Sequence, residues 1–563
     1  MGNALNKEIS AHRKKTDLDL SKRDLKVLPK KIKVCKNLTN LNIASNQLID
    51  LPPELGESVG LWRLANGRKN LTISPFNYAD QLKELKVLDF SKNNVNFFPP
   101  YLPQTLVEIV ANNNRLFYSP MTPKIGDLRN LQTLQLGNNQ LEEVPGALAN
   151  LTQLKVLLLD HNDLKVGGRS KIAGCIAVIF HRQGPHRNLC AFQEIPESIL
   201  HLEALERLDL SYNKIKTVAN EINQLRALKE LDLESNAITK LPDTIGKIPI
   251  LITLRLGTNQ LKGIPSTCGE LSNLEELDVG ENRMLDDLPS GLSKCRQLKK
   301  LVIKNTKLDS VPSALKNWTA LVELNMSENG QIESLPEVIG TLSNIRVLNC
   351  DGCTLRQLPD SIGDLKNMTW LGLRKNQLSS FAIPSSIQKL SNLSKLYLSD
   401  NNVEVLPDEI CALPNLVELD FSHNLIITIP DSIGSLTNLE RLFMNNNKLE
   451  TVPTSMQELT KLSVLELRFN VLTTLPPEMG NLTLLTRLDL SHNRLSELPD
   501  SMYKLKNLIT IDLADNPFNS PPQSVITQGK DIILAYLEQQ YNRSDAEKDA
   551  QEKQQKGRVK TTQ

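Results

Sequence analysis

Apolar and polar positions follow one repeating frame of about 23 residues along most of this chain. In residues 205–213, LERLDLSYN, Leu208 and Leu210 alternate with polar side chains, which predicts a short strand with one buried and one exposed face. The second half of the frame, L-P-x-x-I-x-x-L, returns the chain to the next strand. Because the frame recurs from residue 16 to residue 520, the sequence predicts a repeat protein whose units bury their leucines against one another.

One slot per frame marks the turn after each predicted strand. An asparagine amide can donate and accept hydrogen bonds, so it can satisfy backbone groups buried in that turn. This is the leucine-rich repeat signature, and it predicts an α/β solenoid, a horseshoe of about 21 repeats with one parallel sheet along its concave side. Asparagine fills the slot from Asn46 to Asn516, except for Lys69, Thr306 and Cys353, and Arg23 fills it in the first unit.

One segment interrupts the frame. The step from Asn162 to Asn213 is 51 residues, and removal of the 28 residues 166–193 restores an unbroken repeat. Because valine codons begin with GT and a glutamine codon can be CAG, we hypothesise that this insertion is a retained intron. The alternative is a genuine loop after the strand, where insertions are tolerated. Sequencing of spliced transcripts separates the two, since an intron cannot be present in every message.

The N-terminal residues 1–15 form a basic lead-in to the repeats. The start Met-Gly-Asn makes Gly2 a candidate for N-myristoylation, although Asn6 stands where the motif prefers Ser or Thr. An acyl chain beside a basic segment would give the protein a peripheral membrane contact. The alternative is a solvated lead-in without a lipid.

The repeats themselves are assigned to residues 16–165 and 194–520. After them, residues 521–541 place Ile532, Ile533, Tyr536 and Leu537 at helical spacing, which predicts a helix that caps the last repeat. The polar residues 542–563 predict a disordered tail.

Composition and charge limit the cellular compartments and the classes of binding partner that fit this chain. The 563 residues carry a formal net charge of +1, so no global field favours nucleic acid. No apolar run approaches the roughly 20 residues that span a bilayer. Eight cysteines at irregular spacing fit a reducing compartment. We therefore expect a protein of the cytosol or nucleus, and assign it to the cytoplasm, that binds no nucleic acid and reaches membranes only through its N-terminus.

No motif for catalysis stands out in the sequence. The chain contains no phosphate loop G-x-x-x-x-G-K-[ST], no H-E-x-x-H and no G-x-S-x-G. The pair Cys350 and Cys353 falls in a core leucine slot and an asparagine slot, so we interpret it as structural. We expect no enzyme activity, no cofactor and no metal.

Large rings and arginines concentrate in one stretch of exposed strand positions, in the repeats from Asn376 to Asn470. Such side chains dominate interface energies, because they bury a large area at modest entropy cost. The alternative is lateral packing of the rings within the sheet. The predicted partner-binding residues are Trp370, Arg374, Tyr397, Arg441, Phe443, Arg468 and Phe469.

The 23-residue units with Leu-Pro at their centre, and the ending NPFNSPPQSVITQGKDIILAYLEQQ, resemble the intracellular Ras-group leucine-rich repeat family. That family includes the Sur-8/Ras-Raf scaffold, and the ending is also similar to leucine-rich repeat-containing protein 40. The resemblance implies a non-enzymatic signalling scaffold whose partners are a Ras-type small GTPase and the catalytic subunit of a type 1 phosphatase. The alternative is a regulatory or targeting subunit of a single enzyme such as that phosphatase.

Overall fold

The computed structural model describes residues 2–49, 51, 82–96, 98, 102–116, 123–142, 144–164 and 195–560. The chain divides into two compact units, Met1–Leu298 and Lys299–Gln563, here called unit 1 and unit 2. The hypothesised intron at 166–193 and the repeat of Lys69 lie outside the described residues, so both stay predictions.

The described part of unit 1 is built on ten short strands. Each strand has three residues and pairs in parallel with the next one along the chain. The register sets central residues side by side, as with Leu208 and Leu231. The strands are β1 Asp17–Asp19, β2 Asn40–Asn42, β3 Val87–Asp89, β4 Glu108–Val110, β5 Thr133–Gln135, β6 Val156–Leu158, β7 Arg207–Asp209, β8 Glu230–Asp232, β9 Thr253–Arg255 and β10 Glu276–Asp278.

Unit 2 repeats the same arrangement with ten further parallel strands. The strands are β11 Lys300–Val302, β12 Glu323–Asn325, β13 Val347–Asn349, β14 Trp370–Gly372, β15 Lys395–Tyr397, β16 Glu418–Asp420, β17 Arg441–Phe443, β18 Val464–Glu466, β19 Arg487–Asp489 and β20 Thr510–Asp512. Each unit is thus a leucine-rich repeat solenoid, and the predicted fold class is confirmed.

The frame explains why these segments fold as strands and then turn. In β16 the central Leu419 is buried, while its neighbours Glu418 and Asp420 face away from the core and are partly exposed. The residue directly before the asparagine slot then adopts a left-handed conformation in repeat after repeat, as in Tyr212 with φ 52° and Phe469 with φ 53°. This residue turns the chain sharply out of the strand.

The asparagines form a ladder of hydrogen bonds between repeats. Asn424 donates to the carbonyl oxygens of Leu398 at 2.9 Å and Phe421 at 3.0 Å, and its Oδ1 accepts the N–H of Val403 at 3.0 Å. Leu398 belongs to the preceding repeat, so the amide links two units as well as closing its own turn. Where Cys353 takes the slot, its Sγ can make only a weak contact, to the carbonyl oxygen of Met326 at 3.4 Å.

Helix α1, Gly2–Ala11, covers the first repeat. Ile9 is fully buried, and the Cys35 thiol donates to its carbonyl oxygen at 3.3 Å. Arg23 forms an ion pair of 3.0 Å with Glu8. The predicted lead-in is therefore a packed helix, and its first residue is the candidate lipid acceptor Gly2.

Short helical turns form the return half of the repeats. Many begin directly after a proline, such as Pro430, because its fixed φ suits the residue before the first helical position. Single α-helical turns occur at α2 Glu197–Leu200 and α3 Asp408–Cys411. The 3₁₀ turns are Lys30–Val34, Pro123–Asp127, Gly146–Asn150, Asn220–Gln224, Asp243–Lys247, Ser266–Glu270 and Ser290–Lys294 in unit 1, and Ser313–Asn317, Glu337–Thr341, Asp360–Asp364, Ser380–Ala382, Ser385–Lys389, Asp431–Ser435, Thr454–Glu458, Pro477–Asn481 and Asp500–Lys504 in unit 2.

Two helices, α4 Gln523–Ile526 and α5 Lys530–Lys560, follow the last repeat. Helix α5 contacts the turn Asp500–Lys504. Its buried side chains are Ile533, Leu534 and Leu537, whereas Ile532 is 44% exposed. The face of α5 that covers the last repeat therefore differs slightly from the predicted face, because it includes Leu534 and not Ile532.

The sequence predicts a disordered tail at 542–563, whereas helix α5 continues to Lys560, the last described residue. The segment 542–560 is rich in Ala, Glu, Lys and Gln, which have high helix propensity. Low hydrophobicity indicates that a segment has no core of its own, but it does not prevent a helix. Although α5 is long, neither it nor any other helix in the described part of the chain is apolar enough to cross a membrane.

Candidate functional site

The strand face comprises the first and third residues of each strand and the two residues directly before the asparagine slot. All seven predicted partner-binding residues lie on this face of unit 2, in the repeats of β14 to β18. The structure separates most of them into two groups that differ in exposure and in the pairing of their charges.

The first group, the Trp–Tyr cluster, consists of Trp370, Arg374, Tyr397, Glu418 and Arg441. The rings of Trp370 and Tyr397 lie 5.5 Å apart at 51°, and the Arg374 guanidinium sits 3.7 Å from the centre of the Tyr397 ring. As a result Tyr397 is only 7% exposed.

Gly372 makes room for this arrangement on β14. A Cβ atom at this position would lie 2.4 Å from the Trp370 ring, so the indole occupies the space that a side chain would fill. The rings of this cluster therefore pack laterally along the sheet, which is the alternative raised for them from the sequence. Their role in partner binding stays a prediction.

The charges of the Trp–Tyr cluster are paired: Glu418 with Arg441 inside the cluster, and Arg374 with Asp351 at 3.2 Å outside it. The Tyr397 hydroxyl donates to Glu418 Oε1 at 2.8 Å, and Arg441 Nη2 contacts Glu418 Oε2 at 2.6 Å. Burial, followed by the hydrogen bond to Glu418, raises the pKa of Tyr397 from 10.0 to about 12. Burial opposes ionisation of Glu418, but the hydrogen bonds from Arg441 and Tyr397 outweigh it, and the pKa of Glu418 is lowered.

We expect Tyr397→Phe to change how stability depends on alkaline pH. Because the folded-state pKa is raised, the stabilisation from the protonated hydroxyl is fully present below pH 10.0 and is lost as pH rises through about 12. The melting temperature of the wild type should exceed that of the variant near neutral pH, and this lead should shrink above pH 10.0. A lead that stays constant would show that Tyr397 titrates normally.

The second group, the Phe469 site, consists of Arg468, Phe469 and His492. The rings of Phe469 and His492 stack at 4.0 Å and 10°, and Phe469 is still 43% exposed. Arg468 Cζ lies 4.7 Å from the centre of the Phe469 ring, and Arg468 Nη2 lies 3.3 Å from His492 Nε2. In the described residues, Arg468 has no ion pair with a carboxylate.

The backbone of Phe469 is in a conformation that does not suit a large side chain. Its φ of 53° lies in the left-handed region, which favours Gly, Asn and Asp and costs a bulky residue roughly 1–3 kcal/mol. The same slot holds Asn446 in the preceding repeat and Asp400 two repeats earlier still. The turn itself therefore gives no reason for a phenylalanine.

Phe443 lies between the two groups. In the sheet it stands beside Asp420 of β16 and Glu466 of β18, and its side chain is half-buried. The structure thus brings four predicted residues into the Trp–Tyr cluster and two into the Phe469 site, with Phe443 between them.

Sequence reasoning missed a second stack of the same kind in unit 1. Tyr212 is 46% exposed and stacks on His161 at 4.0 Å and 13°, and both residues are left-handed. The signal was available in the sequence, because each ring residue stands directly before an asparagine slot, at Asn213 and Asn162. Ser211 occupies the position that Arg468 holds beside Phe469, so this stack has no arginine next to it in sequence.

The cysteine pair of unit 2 is part of the core. Cys350 is fully buried and Cys353 is 4% exposed. Burial raises the pKa of Cys353 to about 11, so its thiol stays protonated and unreactive near neutral pH. In the part of the chain that the structure describes, no group of three or more His, Cys, Asp or Glu side chains could hold a metal ion.

Comparison with known protein families identifies the type of repeat. A family model described as "Leucine rich repeat" matches residues 105–164, 190–238, 226–284 and 460–518, and one described as "Leucine-rich repeat region" matches residues 369–474. Together the two models cover more than half of the chain.

Among curated proteins, adenylate cyclase of Schizosaccharomyces pombe is 30% identical to the chain over 210 residues. The match covers 36% of this chain and 12% of the cyclase, so the chain spans only a small part of that relative.

Two solved structures are similar in fold. A leucine-rich repeat protein of Leptospira interrogans has a TM-score of 0.54 and 27% identity, with 86% of this chain and 98% of that chain covered. The plant peptide hormone receptor RGFR1, solved in complex with RGF2, has a TM-score of 0.62 and 25% identity, with 86% and 75% covered. With the strand register and the asparagine ladder, these matches show that the chain belongs to the leucine-rich repeat family.

Proposed function

We propose that this chain is a non-catalytic scaffold that binds protein partners on the strand face of unit 2. The Phe469 site is the observation that carries the proposal. It offers an exposed ring held flat against His492, beside an arginine that has no carboxylate partner in the described residues. Exposed aromatic and arginine side chains contribute most to protein interfaces, and a ring already fixed in place loses little entropy on binding.

The left-handed backbone of Phe469 supports the same conclusion. Asparagine would satisfy this turn better, as it does at Asn446 one repeat earlier. Phenylalanine fits this turn less well than asparagine, and 43% of Phe469 is exposed. We therefore infer that the exposed part of the ring contacts a partner.

The Trp–Tyr cluster lies on the same strand face, on the strands before the Phe469 site. Its rings pack against one another and its charges have ion-pair partners, while Trp370, Arg374 and Arg441 remain partly exposed. Neighbouring parallel strands lie about 4.8 Å apart, so the five strands β14 to β18 span about 20 Å. That width is comparable to one protein contact patch.

The resemblance to the Ras-group family selects the first partners to test. They are a Ras-type small GTPase and the catalytic subunit of a type 1 phosphatase, in a cytoplasmic signalling role. The plant receptor RGFR1 was solved with RGF2 bound, which supports protein or peptide ligands for this fold. The proposal assigns no catalytic step to the chain itself.

Affinity purification of the full chain from cells, followed by quantitative mass spectrometry, tests the proposal. We expect several signalling proteins in the wild-type sample, and we expect them to be lost with Phe469→Asn. A single enzyme recovered at one copy per chain would instead favour a regulatory subunit. Partners recovered equally with the variant would contradict the proposed surface.

We further propose that Gly2, the first residue of α1, is N-myristoylated and that the basic residues behind it assist membrane contact. Gly2→Ala should then move the protein from the membrane fraction to the soluble fraction, and neutralising Lys14 and Lys15 should do so in part. Asn3→Ala is the matched control and should leave the distribution unchanged. An intact mass without the acyl group would remove this proposal.

A further inference from the structure

One ring in unit 2 is exposed away from the strand face. Phe381 is 99% exposed, more than any other large apolar side chain in the described residues. It lies in the 3₁₀ turn Ser380–Ala382, on the return side of a repeat that is longer than its neighbours: the step from Asn376 to Asn401 is 25 residues. The extra length of this repeat therefore carries a phenylalanine into solvent.

The backbone around Phe381 is held firmly on both sides. The next residue, Ala382, is buried, and its carbonyl oxygen accepts the N–H of Leu358 at 2.9 Å from the preceding repeat. Ser380 Oγ accepts the N–H groups of Glu404 at 3.0 Å and Val405 at 2.8 Å from the following repeat. The ring is thus displayed by a fixed turn rather than by a loose loop.

Two further apolar side chains extend this exposed surface. Val405, whose N–H is bound by Ser380, is 55% exposed. Ile427 is 47% exposed and lies on the next repeat, where its N–H reaches the carbonyl oxygen of Glu404 at 3.4 Å. We call Phe381, Val405 and Ile427 the Phe381 patch. Exposed apolar side chains that lie on neighbouring repeats and have a polar rim are typical of binding surfaces.

The rim of the Phe381 patch is acidic. Glu404 directly precedes Val405, and Glu450 lies on the repeat after Ile427, whose carbonyl oxygen accepts its N–H at 3.4 Å. Both carboxylates are exposed, and neither has an ion-pair partner among the described residues. On the repeat before Phe381, Arg356 forms an ion pair of 3.2 Å with Glu333, so its positive charge is offset.

We infer that the Phe381 patch is a second docking site, for a short peptide segment of a partner that carries an apolar anchor next to lysine or arginine residues. The free carboxylates of Glu404 and Glu450 select the basic flank, and the three apolar side chains select the anchor. The size of the patch favours a short segment, because a folded partner or a second copy would bury about 800 Å² per side. The inference is independent of the Phe469 site.

Selection of peptides on the full-length protein tests this site directly. The probe is a random library of peptides of about twelve residues displayed on phage, counter-selected against the Phe381→Ser variant. We expect enriched peptides with an aromatic or aliphatic residue beside Lys or Arg. Their affinity should fall at least tenfold with Phe381→Ser and with Glu404→Lys, and should be retained with Phe381→Leu.

Two controls separate peptide binding at the Phe381 patch from unfolding and from binding at the Phe469 site. Because Phe381 is 99% exposed, Phe381→Ser should leave the melting temperature unchanged. Phe469→Asn should leave peptide affinity unchanged, so failure here and failure of the proposed function are distinguishable. No enrichment, or enrichment of acidic peptides, would overturn the inference. A dimer that becomes a monomer with Phe381→Ser would also overturn it, since a second copy would then be the occupant.

Discussion

Replacing Asn424 with alanine is expected to lower the free energy of unfolding by about 3 kcal/mol or more. The side chain is 6% exposed and makes four hydrogen bonds to backbone groups of two repeats. Alanine leaves the buried N–H of Val403 without a partner. It also removes one of the two amide donors to each of the carbonyl oxygens of Leu398 and Phe421, which keep Asn401 and Asn447. A buried polar group without a partner costs about 1–3 kcal/mol.

Asn415→Ala is the matched control for this prediction. Asn415 is exposed, and its side chain makes one hydrogen bond, to the carbonyl oxygen of Ser391 at 2.8 Å. Water can replace that bond, so the expected loss is below about 1 kcal/mol. Urea unfolding of both variants, followed by circular dichroism, measures the difference. Equal losses would mean that the ladder does not hold the repeats together.

Phe469→Asn is expected to weaken capture of the main partner by about 30-fold or more, with little change in the melting temperature. Loss of a central aromatic contact typically costs about 2 kcal/mol of binding energy. For folding, the loss of the stack on His492, worth about 0.5–1.5 kcal/mol, is offset by a residue that favours the left-handed backbone.

The Tyr212→Asn variant is the control for Phe469→Asn. Tyr212 is equally left-handed, similarly exposed and likewise stacked on a histidine, but it lies in unit 1 without an arginine before it in sequence. It should therefore change stability to the same small extent and leave binding unchanged. Binding lost in both variants, or a large loss of stability with Phe469→Asn, would argue against the site.

The sequence predicted most of the fold because the repeat frame reports burial directly. Leu419 and Asn424 occupy slots whose environment recurs in most of the described repeats, so one repeat predicts the burial pattern of the others. Helix α5 was predicted only in part. Its length depends on the helix propensity of the segment 542–560, whereas the prediction of disorder considered only hydrophobicity.

The sequence predicted where the residues of the candidate site lie, but not how exposed each side chain is. The frame places Tyr397 and Phe469 on the same face, yet Tyr397 is 7% exposed and Phe469 is 43% exposed. The difference arises from neighbouring strands: Gly372 leaves room for Trp370 to pack beside Tyr397, and Glu418 binds the tyrosine hydroxyl. Such contacts join residues one repeat apart, and residue types in a single repeat do not determine them.

Site-specific photo-crosslinking shows directly whether partners bind the strand face at Phe469. Benzoylphenylalanine replaces Phe469 in one sample and Leu484, which is 50% exposed in the turn before β19, in another. We expect the purified partners to crosslink from position 469 and not from position 484. Crosslinks from position 484 with none from position 469 would place the partner elsewhere and contradict the proposal.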